Sequence, residues 1–327
     1  MKLIENVRIE NFKSLRDVLI GNCKRFNLLI GKPNVGKSNI IEALTIFTVP
    51  YISSKEKVFS SFLRVDKPAQ LFYNGDVSTE ASIVAGEYST TIKYKNSQEL
   101  TLKLHGPNDS REFNVVDLHV RKPLTEYPTF KTYLFSQHGN NKLSTSIDMP
   151  FLCPLGGNNL MRIVNENSQL TALFQEILKP YNLKLIFNTA EQEINISKEI
   201  DNTASYIVPF DGIADTLKRY LFFAAAIMSN EESVIMFEEP EAHAYPPMIS
   251  KITQLIVENP KNQYFITTHS PYVLNEFLSG TTYSDLAIHL IDYKNGETIV
   301  RSLSEEELEE VYNDGIDLFF NHEIFLD

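Results

Sequence analysis

The sequence has no tryptophan and only two cysteines in 327 residues. Cys23 and Cys153 stand far apart, with no Cys-x-x-Cys pair and no histidine at metal-ligand spacing beside them. That excludes a zinc ribbon and a disulfide framework, and leaves two reduced thiols. No window approaches the ~18 consecutive uncharged apolar residues that cross a bilayer. The opening Met1-Lys-Leu-Ile-Glu-Asn-Val-Arg-Ile-Glu carries charge throughout, so a signal peptide is missing too, and the expected location is the cytoplasm with no membrane contact. Basic charge is in deficit. Thirty Lys and Arg against 42 Asp and Glu give a net charge of -12, which opposes non-specific attraction to a polyanion or an anionic membrane. Gly/Ser linkers, Pro-rich runs, basic blocks and fixed-period repeats are likewise absent. What remains, 43% apolar and 22% charged residues, is the composition of an ordinary globular chain.

The hydrophobic pattern reads as α/β. Residues 4 to 20 alternate, and the apolar run Phe26-Asn-Leu-Leu-Ile30 stops at Gly31; both predict strands. Ile40, Ile41, Ala43 and Leu44 then recur at helical spacing, so a strand, a loop and a helix open the chain. From about 70 to 104 period two returns across an Asn96-Ser97 turn signal, which predicts an antiparallel meander. Residues 105 to 158 read as irregular, and Leu170, Leu173, Phe174, Ile177 and Leu178 predict an amphipathic helix ending before Pro180. Next come a helix over Leu217 to Met228, a strand at Val234 to Phe237, a helix from about Pro247 to Val257 and a strand at Tyr264 to Thr267. That alternation implies a mainly parallel sheet. Asn295-Gly296, between residues 286–293 and 298–303, predicts a hairpin, and Ser304 with Glu307 a capping box. The expected layout is one head over 1–327, with an antiparallel β and phosphate-loop part at 1–104, an inserted helical lobe at 105–205 and a closing part at 206–327.

Gly31-Lys-Pro-Asn34-Val-Gly36-Lys37-Ser38 matches the Walker A pattern. Its glycines let backbone amides curl around phosphate, and the helix that follows presents its positive end. Lys37 is expected to reach the terminal phosphates of ATP, and Ser38 to place its hydroxyl on Mg2+, which accepts few protein oxygens. Asn39 follows inside the same nucleotide-binding stretch. A second constellation, Ser233-Val-Ile-Met-Phe-Glu238-Glu239-Pro240-Glu241-Ala-His243, delivers two carboxylates at the carboxyl end of an apolar strand, where ligands of open α/β sheets sit. Side chains alternate along a strand, so Glu238 is assigned to the magnesium and Glu239 to orienting the attacking water. In Thr267-Thr268-His269-Ser270-Pro271 a histidine follows a strand that would run beside the Walker strands, in reach of the γ-phosphate. His105, His138, His289 and His322 have no such context and are read as structural.

GKPNVGKSNIIEAL, FEEPEAH, TTHSPYVL and the NFKSL of residues 11 to 15 together resemble the ATPase heads of the RecF, SMC and OLD families, and within that group the OLD-like AAA-family ATPases of prokaryotic antiphage and abortive-infection systems. The resemblance covers nearly the whole chain and implies a P-loop fold of the ABC-ATPase head type. It implies that Asn34 joins the γ-phosphate contacts, that His269 is the switch histidine, and that Pro240 to His243 form a loop facing a partner protomer in a homodimer closed around ATP. A glutamine contacting the metal is also implied, with Gln70 and Gln137 as candidates.

Departures shape the rest. Where such families carry a Ser-Gly signature before the catalytic Glu, this chain reads Pro209-Phe-Asp211-Gly212-Ile-Ala-Asp215-Thr216. Asp211 facing phosphate would be repelled, so it is expected to turn inward and cap its own helix. No long heptad segment supplies a coiled-coil arm, and 58 residues after His269 leave no room for an appended nuclease domain. An effector nuclease or toxin would then sit on another chain. The expected function is an ATP-hydrolysing switch for such an effector or for DNA or RNA, in antiphage defence; a transporter ATPase subunit and an ATP-binding scaffold with little hydrolysis are the alternatives.

Overall fold

The computed structural model describes residues 2–51, 62–120, 129–135, 149–191, 193–200 and 205–326. It divides into two compact units, the first made of Met1–Thr132, Glu232–Glu239 and Asn262–Asp327, the second of Tyr133–Glu231 and Pro240–Lys261.

The first unit opens with the antiparallel pair β1 (Val7–Phe12) and β2 (Leu15–Ile20). Then come β3 (Phe26–Ile30) and helix α1 (Lys37–Thr45). The meander follows as β4 (Ala81–Ala85), β5 (Tyr88–Asn96), β6 (Glu99–Gly106), β7 (Asp109–Val116) and β8 (His119–Val120). With β1 and β2 they form a seven-stranded sheet of order β2-β1-β4-β5-β6-β7-β8, every neighbouring pair antiparallel. The alternation is the cause: Val7 and Ile9 are buried while Arg8 and Glu10, between and after them, reach outward. The antiparallel region runs beyond residue 104, because β7 pairs with all of β6 although Phe113 and Val115 are its only fully buried side chains. Two buried residues in eight are too few to stand out as a period.

The second sheet of this unit has the order β16-β15-β3-β14-β13-β9, with β9 (Phe130–Tyr133), β13 (Val234–Glu238), β14 (Gln263–Thr267), β15 (Leu286–Lys294) and β16 (Glu297–Ser302). β15, β3, β14 and β13 run parallel, and β16 turns back antiparallel after Asn295-Gly296. β3 and β14 are buried at every position, as strands covered on both faces must be. β14 lies between β3 and β13, so the residues that follow these three strands come to one edge. Helix α7 (Glu305–Asn313) has the expected capping box, with Ser304 N–H donating to Glu307 Oε2 at 2.8 Å and Glu307 N–H to Ser304 Oγ at 3.3 Å.

The second unit holds α2 (Leu160–Glu166), α3 (Ser168–Leu178), α4 (Asp215–Met228) and α5 (Pro246–Val257). It also holds an antiparallel sheet of β10 (Leu183–Asn188), β11 (Glu193–Glu199) and β12 (Ser205–Pro209), so the lobe is not purely helical. In β11 only Ile194, Ile196 and Ser197 are buried, a pattern too sparse to announce a strand. Helix α6 (Pro271–Gly280) belongs to the first unit again. Among the described residues no helix is long and apolar enough to cross a membrane.

His289 is fully enclosed in β15, with Nδ1 2.8 Å from Ser302 Oγ and Nε2 3.4 Å from Asn27 Oδ1. Burial pushes its pKa down from 6.5 to about 4. The folded state therefore resists a proton that the unfolded chain takes up near pH 6.5, and the stability this group protects is complete above that pH and lost as pH falls toward 4. Between pH 7 and 5 His289 should cost the fold about 2 kcal/mol. Urea unfolding at the two pH values should show a loss smaller by about that amount in His289→Gln, and equal losses in both proteins would refute the assignment.

Candidate nucleotide site

The loop between β3 and α1 is fixed by close approaches. A Cβ on Gly31 would lie 2.0 Å from the backbone oxygen of Ile291, so only glycine lets the chain pass β15 there. Gly36 caps α1 with φ 107, a left-handed conformation that glycine adopts without strain, and its carbonyl takes the first helical hydrogen bond from Ile40 at 3.1 Å. Asn34 stands exposed at the loop's tip with φ 64. The Lys37 ammonium folds back and donates to the carbonyls of Gly31 at 2.7 Å and Lys32 at 2.6 Å. Burial lowers its pKa, and the charge of Glu239 opposes that shift. Ser38 is half-buried, and the Asn39 amide donates to Ser14 Oγ at 2.7 Å.

β13 delivers Glu238 and Glu239 to different partners. Glu238 is ion-paired with Arg64, while the chain turns left-handed at Glu239 (φ 43) as its N–H donates to the Thr267 carbonyl at 3.0 Å. Glu239 Oε1 then lies 3.4 Å from Nε2 of His269, which follows β14. Burial, first, and the charge of Lys37 lower the pKa of His269, against the pull of Glu239, so the imidazole is neutral at pH 7. Among Lys37, Glu239 and His269, predicted from three separate motifs, the charge of Glu239 acts on Lys37, and the charges of both act on the His269 ring. Gln70 is occupied locally, its Oε1 accepting from the N–H groups of Asp66 and Lys67, and Gln137 lies outside the described residues, as does His138.

In the second unit the signature expectation needs correcting. Asp211 and Gly212 lie in a 3₁₀ turn (Phe210–Gly212), and α4 begins later, at Asp215, with Ala214 at its N-cap and no capping side chain. Asp211 therefore does not cap the helix. The helix start is Ala214-Asp215-Thr216, where Asp215 accepts from Lys218 at 2.8 Å and Thr216 Oγ1 donates to the His243 carbonyl at 3.5 Å.

Four residues of the first unit hold positions that the sequence reading gave no role. Buried Glu42, on α1, is ion-paired with Lys13 and lies 3.6 Å from Arg64, whose other partner is Glu238. Burial pushes the Glu42 carboxyl up and the charges of Lys13 and Arg64 pull it back. Arg64 is raised because Glu238 and Glu42 outweigh its burial. Lys13 belongs to the NFKSL stretch but its role depends on a partner 29 residues away, and the fourth, Thr298, donates to the carbonyl of Val35 at 2.9 Å.

Comparisons with known proteins agree with this architecture. A family model described as an AAA domain, putative AbiEii toxin, Type IV TA system matches residues 158–275, the stretch that carries Glu238, Glu239 and His269. An ATP/GTP phosphatase of Helicobacter pylori is 22% identical over 321 residues, covering 82% of this chain and 85% of that protein. An uncharacterised protein of Methanocaldococcus jannaschii is 30% identical over 112 residues, 33% of this chain and 49% of that one. Among solved structures, an Smc head bound to the C-winged helix domain of ScpA matches with a TM-score of 0.56 and 16% identity, covering 94% of this chain and 100% of that one. An Smc head with an extended coiled coil, bound to the C-terminal domain of ScpA from Pyrococcus furiosus, gives 0.54 and 14%, covering 96% and 99%. The fold is that of a P-loop ATPase head. Its sheet order and strand-end residues follow from the hydrogen bonding described above, independently of that likeness.

The buried charge chain makes a stability prediction. Glu42→Ala strands the Lys13 ammonium, whose side chain is 12% exposed, and should destabilise the fold by about 3 kcal/mol. Urea unfolding at pH 7 would measure it, and a loss under ~0.5 kcal/mol, the size of a surface pair, would contradict the buried pairing.

Proposed function

We propose that this chain is a magnesium-dependent ATPase head that closes as a homodimer around two ATP molecules and uses hydrolysis to reset a switch on a partner effector or nucleic acid. The reading treats residues 1–327 as one head. It is carried by one observation: β3, β14 and β13 are neighbouring parallel strands followed by the residues Lys37, His269 and Glu239, with Glu239 3.4 Å from His269 and the charges of Lys37 and Glu239 both acting on that ring. The Lys37 ammonium turns from its own loop carbonyls to the terminal phosphates, joined by Asn34 and the backbone of the loop. Glu239 orients the attacking water, and neutral His269 hydrogen-bonds at the γ-phosphate. The Ser38 hydroxyl and the Glu238 carboxylate are oxygen donors of the kind magnesium accepts, and among the described residues no cluster of three His, Cys, Asp or Glu offers a metal another seat. Magnesium bound with the nucleotide would neutralise charge between the transferring phosphates.

In the dimer, the partner protomer contributes Pro240 to His243 and the start of α4. The match to a toxin–antitoxin family supports a role in defence. The Smc heads bound to ScpA domains support a protein partner docked on such a head. A second reading, a scaffold that holds ATP and turns it over slowly, is favoured by Asp215: a carboxylate at the start of α4 would meet the partner's phosphates with negative charge.

Phosphate release by the purified protein tests the proposal. Lys37→Ala should lose nucleotide binding, and Glu239→Gln should lower kcat by roughly 100-fold or more while binding ATP normally. Light scattering of Glu239→Gln with magnesium and ATP should report a dimer; a monomer under those conditions would remove the dimer switch.

A further inference from the structure

Thr298, in β16, belongs to no motif, yet it is the side chain that meets the phosphate loop from behind. It is 5% exposed, and its hydroxyl donates to the carbonyl of Val35 at 2.9 Å. The same oxygen would lie 2.6 Å from a Cβ on Gly36, so the space that glycine leaves is the space this hydroxyl uses. Ser14 Oγ lies 3.5 Å from Thr298 Oγ1, and Ser14 Oγ accepts from the Asn39 amide at 2.7 Å. A hydroxyl has one proton to give. Since that of Thr298 is committed to Val35, Ser14 must be the donor between the two, and the relay has one direction: Asn39 to Ser14, Ser14 to Thr298, Thr298 to the loop carbonyl.

We propose that Thr298 is a positioning residue that sets the orientation of the Val35–Gly36 peptide, and with it the phosphate-binding N–H of Gly36. The peptide is trans, so its C=O and N–H point in opposite directions. Holding the Val35 oxygen against β16 turns the Gly36 N–H away from β16 and into the loop. The restraint is needed because of Gly36 itself. At φ 107 it is free of the Cβ barrier that stops other residues from reversing, so this peptide can flip where its neighbours cannot. A flipped peptide would offer a carbonyl oxygen to the anion in place of a donor. Thr298 thus supplies from another strand the stiffness that glycine gives up, and the relay ties that stiffness to Ser14 of the NFKSL stretch and to Asn39 on α1.

This inference rests on the loop being a nucleotide site, and the test separates the two. Thr298→Val removes the hydroxyl at constant shape; Thr298→Ser keeps it. Equilibrium binding of a fluorescent ATP analogue with magnesium, steady-state phosphate release and thermal unfolding without nucleotide are the readouts. Thr298→Val should weaken binding and raise KM about tenfold, the effect of one lost hydrogen bond, with kcat within about threefold. Thr298→Ser should stay within about twofold of wild type, and neither should lower the unfolding midpoint by more than a few degrees. Ser14→Ala, which cuts the relay without touching the loop, should move binding the same way by roughly two- to threefold. It carries the test should Thr298→Val fail to fold: Ser14 Oγ stands beside Gly36 and Thr298, so wild-type binding by Ser14→Ala would then overturn the relay and the positioning drawn from it. If Thr298→Val binds like wild type while Lys37→Ala does not bind, the positioning role is wrong and the nucleotide site stands. Equal weakening by Val and Ser would assign the effect to packing and also overturn it. Absence of binding by the wild-type protein would remove both.

Discussion

The ammonium group of Lys37, on a residue 5% exposed, is held by two carbonyls of its own loop, and most of the local architecture is what that burial requires. A cation out of water needs acceptors, and here the backbone provides them by curling back on itself after β3. The curl in turn requires a glycine against β15 and another at the head of α1. A balancing charge comes from Glu239, just after β13, where the chain leaves the strand conformation. His269 responds to the same ammonium, which helps keep its ring neutral. Three motifs separated by some 200 residues of chain are thus coupled by one desolvated charge.

Around that centre the first unit arranges its charges in alternating sign, Lys13, Glu42, Arg64 and Glu238, from buried to half-exposed. The alternation lets carboxylates stand beside a phosphate loop without a large negative field of their own, in a chain whose net charge is already -12. Arg64 holds a positive φ, and its guanidinium pairs with both Glu42 and Glu238. The protein has therefore fixed the carboxylate at the end of β13 with a cation that is itself anchored on the helix after the phosphate loop.

The parts legible in the sequence were those set by local rules. The run at β3, the glycines of the loop, the apolar strand before Glu238 and the capping box of α7 each need only neighbours in sequence. What escaped was set by distant neighbours. Thr298 is an ordinary residue of an alternating strand until β16 lies beside the loop, and Arg64 acquires meaning only through Glu238, 174 residues on. The helix read over Leu217 to Met228 begins two residues earlier, at Asp215, while Asp211-Gly212, which has the composition of a helix entrance, forms a 3₁₀ turn ahead of it. β10 to β12 escaped because few of their residues are buried and their apolar positions run together, as in Leu185-Ile-Phe187 and Tyr206-Ile-Val208, without marking one face.

Asn27, in the interior of β3, has a consequence at the far end of its sheet. Its amide donates to the Tyr264 carbonyl of β14 at 2.9 Å and its oxygen lies 3.4 Å from His289 of β15, so one side chain joins three parallel strands near their beginnings. Parallel ladders of apolar residues have no register of their own to defend, since Val, Ile and Leu fit a neighbour nearly as well one step along. A polar group that finds acceptors at only one alignment does. A slip of β14 by one residue would take the Tyr264 carbonyl from the Asn27 amide, leaving it the Lys24 carbonyl at 2.7 Å, and carry His269 about 3 Å along the strand axis, away from Glu239. Asparagine 27 thus works as a ruler: the evenness of the strand ends, on which the meeting of Lys37, Glu239 and His269 depends, is measured out from the opposite edge of the fold.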